Sequence, residues 1–377
     1  MVIAKENAPH LRRKASVTRM MVDVLIALAP TLIFSFVVFP IKTLVFYLIS
    51  VVIMEGAEFV YVGLKGIMPN DGQKHSFKER FAYAYKGKYN QNNILTAAIT
   101  AIIFTLIMPA GAPIYAVFVG ALVGIVLGKL VFGGLGSNIF NPAAVGMLFA
   151  KVCFGSQYAK NVSTWYYTVA DVNAAPTVLT NTTLGGLDGL VANFNNANYL
   201  DMFFGRMYGT LGEVYAITIL IGAIYLLVRR SADFRVMLPY LGTFALFSLV
   251  AGLGFFAIDG KTNPLLFTLF NLLSGGVLFG GVFMLTDPVT SPINSPSRII
   301  YAMVAAVSTI LIRLFAALPE GVGFSILIAN MVAVVLDHYE WSNPRYTWKK
   351  LLAMGLLVVI PALVIFLVIK FGGVYHG

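Results

Sequence analysis

Eleven separate stretches of this chain are apolar enough to lie in hydrocarbon, and that leaves few folds open. A helix needs about 20 apolar residues to cross about 30 Å of bilayer. Runs of that kind occur at 20–39, 43–64, 94–109, 112–132, 141–155, 213–228, 236–258, 264–285, 299–317 and 320–337, with an extra one at 350–371. The spacing predicts an all-α polytopic membrane protein of about ten transmembrane helices plus a further C-terminal one. Composition points the same way: 59% of the 377 residues are hydrophobic and 11% are charged, against roughly 45–50% and roughly 25% in soluble domains. So few polar groups could not cover a soluble surface. Intrinsic disorder, a nucleic-acid-binding domain and a secreted disulfide scaffold are excluded on the same figures. The formal charge of +10 reads as basic cytoplasmic loops rather than as a nucleic-acid surface. A single cysteine, Cys153, allows no intrachain disulfide and no C-x-x-C metal site.

With the N-terminus in the cytoplasm, nineteen of the 26 Lys and Arg fall on the cytoplasmic side, in the N-terminal tail, the 65–92 loop, Lys129, the Arg229/Arg230/Arg235 cluster, Arg298, and Arg345 with Lys349 and Lys350. That bias sets the orientation, with the N-terminus and these loops on the cytoplasmic side. The organisation expected is a cytoplasmic tail (1–19), a first five-helix repeat (20–155), an outer loop (156–212), a second five-helix repeat (213–339) and an extra C-terminal span (340–377). Asn93-Ile94-Leu95-Thr96 and Asn271-Leu272-Leu273-Ser274 occupy corresponding places in the two fives. An odd number of spans per repeat makes the repeats inverted.

Four groups of residues could carry chemistry. In Gly133-Gly134-Leu135-Gly136-Ser137-Asn138-Ile139-Phe140-Asn141-Pro142, three glycines let backbone approach a flat or phosphorylated ligand. Asn138 and Asn141 offer amides, and a helix starting near Pro142 offers free N–H donors. A tight turn with an Asn cap would look the same. In the stretch from Asn271 to Thr290, Ser274-Gly275-Gly276 interrupts a span, either for close helix packing or as a discontinuous helix lining a site. Asp287, ahead of Pro288 and near Thr286 and Thr290, suits a cation or the edge of a ring, or simply ends a helix. Acids in or beside spans, Asp23, Glu55, Glu58, Glu213, Glu320 and Asp337, are costly to bury and so default to functional hypotheses. Last, the outer loop contains Asp171-Val172-Asn173-Ala174-Ala175-Pro176-Thr177, a small-residue segment with hydroxyls.

In this order and spacing the motifs resemble one family, the flavin-carrying membrane protein shared by the Rnf complex (RnfD) and the sodium-pumping NADH:quinone reductase (NqrB). The resemblance runs from about Ala8 to Tyr339. It rests on Pro9-His10, Arg19-Met20, the GGLGSNIFNPA stretch, Gly212-Glu213-Val214, the SGG…TDPVT stretch, Pro319-Glu320-Gly321 and Leu336-Asp337-His338-Tyr339. The short N-terminal tail is closer to RnfD; the 65–92 loop and the 350–371 span have no counterpart in the pattern. The resemblance implies a redox-driven Na+ or H+ pump in which this chain carries electrons. An FMN would be joined by a phosphoester to Thr177, with Asp171 six residues before it and Thr180 as the alternative acceptor. Ala174-Ala175-Pro176 stand where the family pattern has Ser/Thr-Gly-Ala. A second flavin, riboflavin or its like, would be held noncovalently toward the cytoplasm; Gly134, Asn138, Asn141, Ser274, Gly275 and Asp287 are the further candidate cofactor contacts. Glu55, Glu58, Asp287, Glu320 and Asp337 are the candidate ion path. Implied partners are a covalent-FMN subunit, an iron–sulfur subunit, a flavin transferase for maturation and the lipid bilayer. No catalytic side chain and no bound metal are expected in this chain. A solute channel or transporter of the same fold, or a purely structural subunit, remains the alternative.

Overall fold

The computed structural model describes residues 17–65, 76–85, 89–155, 182–195, 197–206, 209–316 and 321–372. The segment with Asp171, Thr177 and Thr180, and also Glu320, lies outside the described residues. The described residues form helices, with one isolated antiparallel bridge between Pro109 and Thr210. In chain order these are α1 (Val17–Val38), α2 (Pro40–Lys65), α3 (Phe77–Tyr85), α4 (Gln91–Ile107), α5 (Ile114–Leu130), α6 (Pro142–Phe154), α7 (Thr182–Asn195), α8 (Tyr199–Phe204), α9 (Ala216–Arg229), α10 (Phe234–Asp259), α11 (Pro264–Leu273), α12 (Val277–Met284), α13 (Ser295–Phe315), α14 (Val322–Leu336) and α15 (Trp348–Phe371). Each of the eleven apolar runs has its helix, and α11 with α12 is one run bent by 66°. The chain is a multi-pass membrane protein.

The cause of that bend is local. Gly275 and Gly276 stand at φ +62° and +71°, a region closed to most side chains, so the helix stops at Leu273 and restarts at Val277. Elsewhere the caps are legible in the sequence: Asn141 and Asn263 each precede a proline at the first helical position and accept two backbone N–H bonds, as N-caps do.

Packing pairs the first five membrane helices with the next five. α2 packs on α4 and α5, and α5 on α6; α10 packs on α11 and α13, and α13 on α14. α1 meets α9 and α6 meets α14 across the middle. α15 lies outside on α10 and α13.

Small residues allow the closest of these approaches. A Cβ on Gly146 of α6 would sit 2.4 Å from the Gly120 carbonyl oxygen of α5, backbone that cannot step aside. Gly146→Ala is expected to lose about 1–3 kcal/mol through overpacking, whereas Gly242→Ala, with nothing within 4 Å of the new Cβ, should melt in detergent like the parent. Equal melting temperatures for the two variants would show that α5 and α6 do not pack this closely.

Candidate functional site

One end of the bundle gathers Lys65, Arg229, Arg230, Arg235 and Arg298 at helix ends, and the polar interior lies just beneath this basic end. The loop after α5 turns back through Gly133, Gly134 and Gly136, all in the left-handed region at φ +122°, +89° and +80°. Lys65 Nζ donates to the Gly133 carbonyl at 2.8 Å. A Cβ at Gly134 would meet the Tyr61 ring at 3.1 Å, so glycine is required twice over, by conformation and by space.

That turn delivers Asn138 and Asn141 to a cleft of about 830 Å³ of free space, mouth included. The opposite wall is Thr286-Asp287-Pro288-Val289 after α12, and Met20, Met21 and Val24 of α1 close one side. α4 contributes Thr96, Ile99, Thr100 and Ile103, and α5 contributes Lys129. The cleft is therefore built from both halves of the chain. Asn141 ties them: its backbone N–H donates to Asn330 Oδ1 at 3.0 Å, and its amide donates to the Met284 carbonyl at 3.4 Å.

Asn141 and Asp287 do two jobs each. The Asn141 side chain caps α6 through the Ala143 and Ala144 N–H groups. Asp287 accepts from the Val289 N–H at 3.1 Å and the Thr290 hydroxyl at 3.4 Å, a self-contained turn that also walls the cleft. Burial pushes the Asp287 carboxyl above its ordinary value; the turn donors and the Lys129 charge act in the opposite direction. The cleft thus offers apolar faces between thioether, aliphatic and threonine side chains, with amide, hydroxyl and ammonium donors and one carboxylate acceptor along its walls. A flavin ring needs such a set: flat apolar faces, donors for its carbonyls and an acceptor for its imide N–H.

The remaining residues singled out in the sequence are spread more widely. Gly134 lines a second cleft, with Glu58, Tyr61 and Asn93, and not this one. Ser274 and Gly275 lie at the helix break, where both carbonyls accept from the Arg313 guanidinium at 3.2 and 3.3 Å. Asp337 accepts from the Ile293 N–H at 3.0 Å and fixes the turn before α13. Glu55 is half-buried and accepts from the Tyr89 hydroxyl at 3.2 Å. Glu58 is buried and paired with Lys129 at 2.6 Å. Asp23 is buried, taking bonds from Arg229, Tyr225 and the Ser231 hydroxyl, which clasp α1 to α9. Glu213 approaches the break, its Oε1 2.5 Å from where a Cβ on Gly276 would stand.

Two residues escape the sequence reading. Lys129 counts there among the solvated loop cations, yet its side chain is only 3% exposed; its place inside the apolar run 112–132 is the available signal. Arg313 is 3% exposed within α13, again a charge inside an apolar run, where a functional or structural partner is the default expectation.

Comparison with known proteins follows the same lines. The sequence profile of the NQR2, RnfD, RnfE family matches residues 4–345. The chain is 36% identical over 244 residues to NqrB of the Na(+)-translocating NADH-quinone reductase of Chromohalobacter salexigens, covering 64% of this chain and 57% of that protein. To NqrB of Ectopseudomonas mendocina it is 34% identical over 249 residues, covering 64% and 58%. It therefore spans less than three fifths of the length of these quinone-reductase relatives. To RnfD of the Na(+)-translocating ferredoxin:NAD(+) oxidoreductase complex of Acetobacterium woodii it is 30% identical over 337 residues, covering 88% of this chain and 92% of the relative.

Proposed function

The chain belongs to the NQR2, RnfD, RnfE family, and from that premise we propose that it is the electron-carrying membrane subunit of a sodium-translocating oxidoreductase complex of the Rnf type. The near full-length match to an RnfD protein favours that type over the quinone reductase. Sodium is the ion in the names of both kinds of relative. The basic end faces the cytoplasm by the distribution of Lys and Arg, in the plasma membrane of a prokaryotic cell. The two five-helix halves are inverted repeats, an assignment supported by their matching packing partners.

The observation that carries the electron-transfer reading is the cleft beneath the basic end. When bound there, a flavin would supply the electron-accepting and electron-donating chemistry. The chain's own residues bind and orient it. Asn138 and Lys129 present donors, Asp287 presents an acceptor, and Met20, Met21 and Phe283 keep bulk water from the ring faces. A second flavin, FMN esterified to Thr177 on the outer side, would relay electrons from a partner subunit's covalent FMN; an iron–sulfur subunit and a flavin transferase complete the set of partners. Glu55, Glu58, Asp287, Glu320 and Asp337 are the ion-path candidates within this reading, Glu58 being the most deeply buried of those described.

Thr100, 8% exposed on the cleft wall, offers a clean test. Thr100→Trp is expected to fill the cleft and lower the noncovalent flavin released on acid denaturation of the purified complex at least tenfold, while covalent flavin on the gel-resolved chain is unchanged. Undiminished release would remove this cleft as the flavin site. A plain solute transporter of this fold would release no flavin in parent or variant.

A further inference from the structure

Ser76-Phe77-Lys78-Glu79 has the spacing of a capping box, and Glu79 Oε2 accepts from the Ser76 N–H at 2.9 Å where α3 begins. Phe77, Phe81 and Tyr85 then recur at every fourth position. Each residue turns a helix by about 100°, so these three share one stripe, with Lys78 at its flank and Glu79 on the far side. Tyr85 fastens the stripe to α2. Its ring stacks on Phe59 with centroids 4.4 Å apart, and its hydroxyl donates to the Phe59 carbonyl. A Cβ on Gly63 would stand 2.5 Å from the Tyr85 oxygen, so glycine makes room for this contact. Beyond Tyr85 the stripe is open: Phe81 meets the Phe59 ring edge-on at 5.9 Å and Phe77 packs on Phe81 at 6.1 Å, yet they are 42% and 80% exposed.

We propose that α3 is an interfacial helix, lying on the membrane surface at the basic end with Phe77 and Phe81 seated among anionic phospholipids. Three observations choose lipid over a protein partner. The first is continuity with the hydrocarbon-facing side of α2, where Leu48, Val52, Phe59, Val60 and Leu64 recur at helical spacing and are all exposed. The aromatic stripe of α3 is an extension of that side through Phe59. The second is depth. Phe59 stands six residues before the end of α2 at Lys65, about 9 Å along the axis at about 1.5 Å per residue. Interfacial helices bury their apolar face to about 5–10 Å, at the boundary of headgroups and acyl chains. The third is charge. By sequence, residues 65–92 carry six Lys and Arg against Asp71 and Glu79, and anionic headgroups attract such a segment. Bound in this way, α3 holds the end of α2 at a fixed level in the bilayer, whether or not the first cleft contains a flavin.

The test is photo-crosslinking in the purified complex, reconstituted in nanodiscs of phosphatidylglycerol and phosphatidylcholine in equal parts. A benzophenone amino acid replaces Phe77, Phe81 or, as the control on the opposite side of α3, Glu79. Phe77 is so exposed that the larger ring disturbs no packing. After irradiation the mass of the denatured chain is read. Positions 77 and 81 are expected to gain the mass of one phospholipid, and position 79 to stay unmodified. Among the adducts phosphatidylglycerol should exceed phosphatidylcholine, and Lys78→Gln should reduce that excess by up to about fivefold, the equivalent of about 1 kcal/mol per basic residue near an anionic surface. A crosslink from 77 or 81 to another subunit or to a second copy of the chain overturns the assignment and makes this face a protein interface. Equal lipid capture at 77, 81 and 79, or none at 77 and 81, overturns it as well. Lipid adducts with no preference for phosphatidylglycerol overturn the choice of anionic lipid.

Discussion

Replacing Arg313 with methionine is expected to cost the fold about 3 kcal/mol and most of the yield of folded protein. The guanidinium is the hub of the helix break. It donates to the Asn271 carbonyl at 2.7 Å and to the Ser274 and Gly275 carbonyls at 3.2 and 3.3 Å, and it stacks on Phe244 with 5.1 Å to the ring centroid. Those carbonyls end a helix inside the bundle, so no continuing turn can satisfy them. A buried acceptor left without a donor costs about 1–3 kcal/mol, and three are orphaned together, partly offset because the charge itself no longer needs desolvation. Arg313→Lys keeps the charge but not the planar fork that reaches several carbonyls at once, so it should recover part of the loss. Thermal unfolding in detergent reads both variants. A methionine variant as stable as the parent would mean that water or other groups already satisfy the break.

Thr177→Val should abolish covalent flavin altogether. Valine matches threonine in shape but has no hydroxyl to form the phosphoester. The chain co-expressed with a flavin transferase, denatured and run on a gel, is therefore expected to fluoresce under ultraviolet light, and the variant to be dark. Fluorescence that survives in Thr177→Val and vanishes in Thr180→Val would move the acceptor by three residues. A dark parent would show that Ala174-Ala175-Pro176 has broken the attachment motif and that electrons in this chain use the noncovalent site alone. The readout is covalent and needs no partner subunit, so it stands apart from the Thr100→Trp experiment.

The relation between sequence and site is clearest in three places. Asn141-Pro142 announces a helix start, and Ser274-Gly275-Gly276 a break, because capping and positive φ are properties of a few adjacent residues. The Gly133-Gly134-Gly136 turn is legible for the same reason. The role of Lys129 is not. Counting basic residues by loop places it in water, and only the packing of α2 on α4 and α5 sets Glu58 of α2, 71 positions away along the chain, against it. The matched Asn93-Ile94-Leu95-Thr96 and Asn271-Leu272-Leu273-Ser274 gain meaning in the same way. Thr96 accepts from Lys129 of α5, and Asn271 and Ser274 accept from Arg313 of α13, so each motif receives a buried cation from a helix of its own half.

The sequence by itself determined that this chain crosses a membrane many times, where its helices begin and break, and which end carries the positive charge. Those properties follow from local hydrophobicity, backbone preference and the cost of moving charge through lipid, all of which act over a few residues to one span. Only the tertiary structure decided that Asn138 and Asn141 of one half face Asp287 of the other across a single cleft, and that Glu58 is neutralised by Lys129 between two clefts. Contacts such as Asn141 with Asn330, 189 residues apart, are selected by how whole helices pack, and no periodicity within a span records which other span its polar face will meet.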